Sequence, residues 1–91
     1  HQSEKEFSKY NFELANTENL FKIFDMTEKE SKSLIENKLS LPAYDQCLKA
    51  SHIFNILDAR GVISVAQRAE YIGRIRDLAK GVGQVWLESQ K

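Results

Sequence analysis

Cysteine and histidine are the side chains of this sequence best suited to bind a metal or to serve as a nucleophile and its base. Cys47 and His52 are five residues apart, which on a helix turns their side chains about 140° away from each other. A tetrahedral metal site needs three or four ligands, and His1 is the only other histidine or cysteine. A cysteine–histidine nucleophile pair needs hydrogen-bonding contact, which the same angle prevents. The spacing therefore argues against both chemistries, and it favours Cys47 as a small core residue.

Other catalytic signatures are also absent from the sequence. It contains no glycine-rich phosphate loop, no nucleophile elbow and no paired-carboxylate motif. His52 and Asn55 lie beside the apolar sector of a predicted helix, where an unsatisfied polar group would be costly. We interpret both as side chains that bind neighbouring backbone, in preference to ligand contact.

Arg68 stands out because it falls within an apolar stripe of the last predicted helix, between the directions of Ile72 and Ile75. A buried guanidinium needs a partner, since a buried unpaired charge is far more costly than a paired one. Asp58 is the nearest carboxylate that precedes Arg68 in the chain, just before the Gly61 turn. We predict an Asp58–Arg68 ion pair that fixes the second long helix to the third.

The size and composition favour one small globular domain. The 91 residues are 42% hydrophobic, with five Phe, three Tyr and one Trp, which is too apolar for a disordered tail. Residues 1–45 hold nine acids and six bases (net −3), and residues 46–91 hold four acids and seven bases (net +3). Most nucleic-acid-binding domains of this size are far more basic. The single cysteine excludes an internal disulfide, and no apolar run is long enough to span a membrane.

Start and stop signals divide the chain into three long helices. Asn16 and Thr17 are good N-cap residues, Pro42 suits a first helical turn, and Gly61 suits the left-handed residue after a helix. Ser64 and Gln67 form a capping-box pair. We predict an all-α fold, a three-helix antiparallel bundle over 16–91, with helices at about 17–37, 42–60 and 65–88. The polar stretch 27–33 is expected to be solvated. Residues 1–15, polar and without periodicity, are expected to be an extended segment that links to a longer protein.

The third helix has a wider apolar arc than a surface helix usually needs. The members of its predicted core stripe recur at three- and four-residue spacing: Val65, Ala69, Ile72, Ile75, Ala79, Val82 and Trp86. Tyr71, Leu78 and Val85 form a neighbouring stripe at sevenfold spacing. Contact with two other helices would account for the arc, and a docking surface for another domain or subunit is the alternative.

Several runs of residues resemble one known protein family. The runs are 1–4, 10–13, 41–45, 48–52, 54–60, 63–65 and 71–76, together with Arg68. They resemble, in order and without a visible gap, the C-terminal part of the alpha subunit of bacterial glycyl-tRNA synthetase, the two-subunit type. Ala66-Gln67 departs from the Thr-Glu expected there, but preserves the helix start.

The resemblance implies a parent enzyme that activates glycine with ATP and Mg²⁺ and transfers it to glycine tRNA in the cytoplasm. In that family two alpha and two beta chains assemble, and the alpha chain carries a class II catalytic core, an antiparallel sheet. The motifs of that core are expected in another part of the parent, so no catalytic, cofactor or metal residue is assigned here. The helical piece is then expected to brace the catalytic core and to contact the beta subunit or tRNA.

Candidate contact residues come from the basic second half of the chain. We infer Arg60, Tyr71, Arg74 and Arg76 as possible subunit or tRNA contacts. A free-standing helical module that binds RNA through such residues, or an unrelated adaptor, is the alternative. Ordinary solvated charge remains the default interpretation for Arg74 and Lys80.

Overall fold

The computed structural model describes residues 1–90, and all regular structure in them is helical. The α-helices are α1 (Gln2–Lys9), α2 (Thr17–Glu36), α3 (Ser40–Ala59) and α4 (Val65–Ser89). The prediction of an all-α fold is therefore confirmed for these residues. Helices α2, α3 and α4 form the bundle, in which α3 is central and packs against both α2 and α4.

The N-terminal segment differs from the prediction. Residues 1–15 were expected to be extended, but α1 forms there and continues as a π-helical turn over Tyr10–Leu14. The stretch before Asn16 contains neither glycine nor proline, and the Gln2 amide donates a 2.9 Å hydrogen bond to Glu6 one turn later. The polar composition of residues 1–15 thus gave no indication of the helix that forms there. Residues 1–90 contain four α-helices in place of the predicted three.

The bundle helices begin and end close to the predicted residues because their caps are readable from the sequence. The Asn16 side chain accepts a hydrogen bond from the Asn19 N–H at the start of α2. The capping box of Ser64 and Gln67 is present at the start of α4, as predicted. Gly61 follows α3 with φ 72°, in the left-handed region that glycine adopts without strain.

The connection between α2 and α3 is tighter than predicted. Lys38 takes φ 63° without being glycine, and the Leu39 N–H donates back to the Leu34 carbonyl at 2.9 Å, which is the Schellman pattern. This sharp stop lets α3 begin at Ser40, two residues before the predicted start at Pro42. Pro42 still lies in the first turn, where a backbone N–H would have no acceptor within the helix.

The core lies between α2, α3 and α4. Its fully buried large apolar side chains are those of Phe24, Leu57 and Leu78. The polar stretch 27–33 was predicted to be solvated, but Ser31 is completely buried and Glu28 nearly so. The Ser31 hydroxyl donates a 2.9 Å hydrogen bond to the carbonyl of Ala43. A small side chain that satisfies its own polarity lets α2 approach α3 closely, which periodicity of apolar residues alone does not reveal.

Candidate docking site

The face of α4 that packs into the core is not the predicted one. The buried residues of α4 are Leu78, Val82 and Val85. Leu78 and Val85 belong to the sevenfold stripe, and only Val82 belongs to the predicted core stripe. Val65 is 84% exposed and Trp86 is 48% exposed, although both belong to the predicted core stripe. The prediction of that stripe as the core face was therefore wrong in most positions. Because the bundle covers only one flank of a wide apolar arc, the other flank is left on the surface.

The uncovered flank of α4 forms one wall of an apolar groove. The start of α3 forms the other wall, because the two helices run antiparallel. The groove has a volume of about 340 Å³. Seven uncharged residues line it: Ser40, Leu41, Tyr44, Ala79, Val82, Gly83 and Trp86. We call this set the α3–α4 groove.

The side chains of the α3–α4 groove are unusually exposed for their size. Leu41 is 72% exposed, Tyr44 50% and Trp86 48%. Aromatic side chains and the absence of charge distinguish the centres of protein–protein interfaces from the remaining surface. A contiguous apolar patch of this kind indicates a binding surface, whereas single exposed apolar residues do not.

Gly83 is one of the residues that line the groove, and packing within the bundle does not explain why a glycine stands there. A Cβ atom built there meets no other atom within 4 Å. Glycine inside a helix costs roughly 1 kcal/mol relative to alanine. Packing within the bundle does explain the glycine at position 81, because a Cβ there would lie 2.9 Å from Cδ1 of Ile35 on α2. The groove therefore provides a place where another chain can approach the helix backbone at Gly83.

Arg74 is held at the opposite face of α4 by two carboxylates. Its Nε and Nη2 donate to the two oxygens of Glu28 at 2.8 and 2.6 Å, and Nη2 also donates to Asp25 at 2.8 Å. The guanidinium lies 4.7 Å from the Phe24 ring centroid and 4.8 Å from that of Tyr71. The hydrogen bond from Arg74 lowers the pKa of Glu28 despite its burial, and the pKa of Arg74 is raised by the same bond.

The other predicted contact residues are divided between interior and surface. Tyr71 is half-buried, with its ring 4.7 Å from that of Phe24 in an edge-to-face arrangement. Arg60 donates a 2.8 Å hydrogen bond from Nη1 to the carbonyl of Ala15, and so ties the segment after α1 to the end of α3. Arg76 is exposed. The predicted subunit or tRNA contact of these residues stays a prediction, but Arg60, Tyr71 and Arg74 already have intramolecular partners.

The structure places Asp58 and Arg68 in contact. Arg68 donates from Nε and Nη2 to one oxygen of Asp58 at 3.0 and 2.7 Å. The predicted burial of Arg68 is wrong, because its side chain is 50% exposed on the uncovered flank of α4. Exposed ion pairs contribute little to stability, so the stabilising role of this pair stays a prediction.

The candidates for nucleophilic or metal chemistry, Cys47 and His52, differ in their burial. Cys47 is buried in the core, as predicted, and burial raises the pKa of its thiol. His52 and Asn55 are both exposed, so their predicted role of binding neighbouring backbone was wrong. Within residues 1–90, no three or more His, Cys, Asp or Glu side chains are grouped as metal ligands would be. No helix in that range has the length and apolarity to cross a bilayer.

The groove could have been foreseen in part, since the excess apolar width of α4 was visible in the sequence. The Glu28–Arg74 pair could not, because a glutamate in a polar stretch carries no signal of burial. In a comparison with known families, the family model of the glycyl-tRNA synthetase alpha subunit matches residues 1–91, the whole chain. The chain belongs to the glycyl-tRNA synthetase alpha subunit family.

Proposed function

We propose that this chain is the C-terminal helical domain of a glycyl-tRNA synthetase alpha subunit, and that it serves assembly and not catalysis. The observation that carries the proposal is the uncharged α3–α4 groove, which presents Leu41, Tyr44 and Trp86 to solvent. Removing such side chains from water on contact with another polypeptide is favourable by roughly 25 cal/mol per Å². The groove is accordingly the place where another part of the synthetase binds.

The catalytic steps are assigned to other parts of the parent enzyme. In this proposal a class II core of the same chain binds ATP, Mg²⁺ and glycine, and the enzyme of two alpha and two beta chains charges glycine tRNA in the cytoplasm. Among residues 1–90, the one cysteine is buried, and burial raises the pKa of its thiol, which disfavours the nucleophilic thiolate. Their contribution is therefore to hold the core and its neighbours in place.

Protein is a better partner for this groove than RNA. Binding to RNA relies on cations that neutralise phosphates, and the groove lining carries none. Among the basic side chains of the second half, Arg60, Arg68 and Arg74 are engaged by acceptors within the chain. Breaking those contacts would offset part of the gain from binding phosphate.

A groove variant of the full-length alpha subunit tests the proposal. Leu41→Glu adds a charge to the groove at a position that is 72% exposed, so the bundle should fold normally. Val65→Glu is the matched control, because Val65 is 84% exposed and lies outside the groove. We expect Leu41→Glu, but not Val65→Glu, to lower the mass of the complex formed with the beta subunit in sedimentation velocity.

Two further results bear on the proposal. The 91-residue chain alone should not catalyse glycine-dependent exchange between ATP and pyrophosphate, and measurable exchange would refute a non-catalytic role. Titration of the chain with glycine tRNA at two salt concentrations addresses the alternative of an RNA-binding module. Tight binding that weakens steeply with salt would favour that alternative.

A further inference from the structure

Helix α1 projects from the bundle with little packing support of its own. Within residues 1–90 it packs against no other α-helix, only against the π-helical turn that follows it, and none of its side chains is buried. Helix α1 has 8 residues and the π-helical turn has 5, so together they extend roughly 20 Å. The direction of this projecting segment therefore depends on the contacts at its base.

The base of the projecting segment is a short extended connection. Only Ala15 and Asn16 separate the π-helical turn from α2, with ψ angles of 134° and 116°. Ala15 is buried against Leu20 and Leu57. A buried methyl group fixes the position of this residue, but it leaves rotation about the backbone bonds on either side unrestricted. A fixed direction of α1 therefore requires a further contact that holds the backbone of Ala15.

The side chain of Arg60 supplies this contact. Its Nη1 donates to the carbonyl of Ala15 at 2.8 Å and to that of Asn11 at 3.4 Å. Because ψ sets the direction of a residue's carbonyl group, a hydrogen bond to the Ala15 oxygen restricts the ψ of Ala15. Carbonyls at the end of a helix lack partners within it, and a cation is favoured there. Hydrogen bonds from a charged donor are roughly twice as strong as neutral ones.

Arg60 is itself held by the bundle. Its backbone N–H donates to the Ile56 carbonyl at 2.9 Å at the end of α3. Within residues 1–90 its guanidinium forms no ion pair with a carboxylate, in contrast to Arg68 and Arg74. The charge of Arg60 is thus directed at the backbone carbonyls below α1, so the contact joins a fixed residue of the bundle to the base of the projecting segment.

The π-helical turn makes the second of these carbonyls accessible. In this turn the Ala15 N–H donates to the Tyr10 carbonyl at 2.7 Å, whereas in an α-helix it would donate to the Asn11 carbonyl. Arg60 binds the carbonyl that this change of partner releases. A return to α-helical hydrogen bonding would shift the turn by one residue, which rotates α1 by about 100°. The contact of Arg60 and the π-helical turn therefore support each other.

We propose that Arg60 is a positioning residue that fixes the direction of α1 relative to the bundle, through the carbonyls of Asn11 and Ala15. Without this contact α1 rotates or frays, because an isolated helix of its length is marginal in water. Arg60 thereby sets one direction for the exposed apolar side chains of the segment: Phe7, Tyr10, Phe12 and Leu14. The inference goes beyond the proposed function, because none of these residues belongs to the α3–α4 groove.

Hydrogen–deuterium exchange of the 91-residue chain, followed by mass spectrometry, tests the loss of this contact. Arg60→Met keeps the aliphatic part of the side chain and removes its donors. We expect the amides of residues 2–15 to exchange about tenfold faster in this variant, and those of α2, α3 and α4 to be unchanged. Arg68→Met is the matched control, because Arg68 donates to Asp58 and not to the segment below α1. Its exchange should equal that of the unmodified chain.

Pulsed electron paramagnetic resonance measures the direction of α1 itself. Nitroxide labels are attached at Glu4→Cys on α1 and Lys80→Cys on α4, two exposed positions, in a Cys47→Ala background. We expect one narrow distance distribution with Arg60 present, a broader or second distribution in Arg60→Met, and the narrow one again in Arg68→Met. An unchanged distribution in Arg60→Met would overturn the proposal. Faster exchange in α2, α3 and α4 as well, or equal acceleration in both variants, would also overturn it, since Arg60 would then act only on overall stability.

Discussion

The ion pair of Glu28 and Arg74 should be the most sensitive polar contact of the bundle. Glu28→Ala removes both oxygens that receive Arg74 and leaves the guanidinium, 27% exposed, with Asp25 alone. Breaking a buried pair costs about 3–5 kcal/mol, and the remaining exposure and the Asp25 contact reduce that. We expect a loss of about 2–3 kcal/mol in the free energy of unfolding. For a domain of this size that lowers the melting temperature by roughly 10–20 °C.

Thermal and urea unfolding followed by circular dichroism measures this loss. Asp25→Ala is the matched control, because its carboxylate also contacts Arg74 but is 65% exposed. It should cost less than about 1 kcal/mol. An equal loss of stability in both variants, or a smaller loss in Glu28→Ala than in its control, would show that the Glu28–Arg74 pair is not the dominant contact.

The same pair gives a pH dependence of defined sign. The pKa of Glu28 is lowered in the folded chain by the hydrogen bond from Arg74, so the unfolded state takes up its proton at higher pH. The stabilisation is complete above the unfolded pKa and is lost as pH falls through the folded pKa. The stability difference between the unmodified chain and Glu28→Gln should therefore shrink between about pH 6 and about pH 3. A difference that grows on acidification would contradict this assignment.

Five other substitutions test local contacts of the bundle, all by urea unfolding. Gly83→Ala should stabilise the chain by about 0.5–1 kcal/mol, because alanine has the higher helix propensity and nothing is within 4 Å of the new Cβ. Gly81→Ala should stabilise it less, since the new Cβ would be 2.9 Å from a side-chain carbon on α2. Equal stabilisation by the two substitutions would count against that close approach. Asp58→Ala and Arg68→Ala should each cost less than about 1 kcal/mol, and a larger loss would show that the exposed pair is structural. Lys38→Gly should stabilise the chain by about 0.5–1 kcal/mol, since φ 63° is strained for lysine. If the substitution destabilises the chain, the exposed ion pair of Lys38 with Glu88 contributes more than the backbone strain costs.

Local signals in the sequence were sufficient for the helices of the bundle. The Asn16 cap, the Gly61 stop and the capping box at Ser64 are determined by neighbouring residues, and all three are confirmed. Where no local signal exists, prediction failed. Lys38 ends α2 in a conformation that its residue type does not indicate. The π-helical continuation of α1 over Tyr10–Leu14 likewise has no recognisable composition.

The orientation of α4 about its own axis was the main error at the candidate site. Helix α4 has two neighbouring apolar stripes, either of which could face the core, and its sequence alone does not indicate which one does. The orientation of α4 depends on contacts with α2, where Glu28 binds Arg74 and Ile35 packs against Gly81. These contacts turn Leu78 and Val85 inward and leave Trp86 on the surface. A sequence-based prediction therefore found the excess of apolar surface on α4, but not which stripe of it lies in the groove.

Hydroxyl-radical footprinting of the assembled synthetase most directly tests the claim that the α3–α4 groove is a protein-binding surface. Oxidation of Tyr44 and Trp86 is compared by mass spectrometry between the complete complex and the full-length alpha subunit diluted below its association range. Met26, 68% exposed on α2 and outside the groove, is the internal control. We expect several-fold less oxidation of Tyr44 and Trp86 in the complex, with Met26 unchanged. Equal oxidation of the two groove residues in both samples would contradict it.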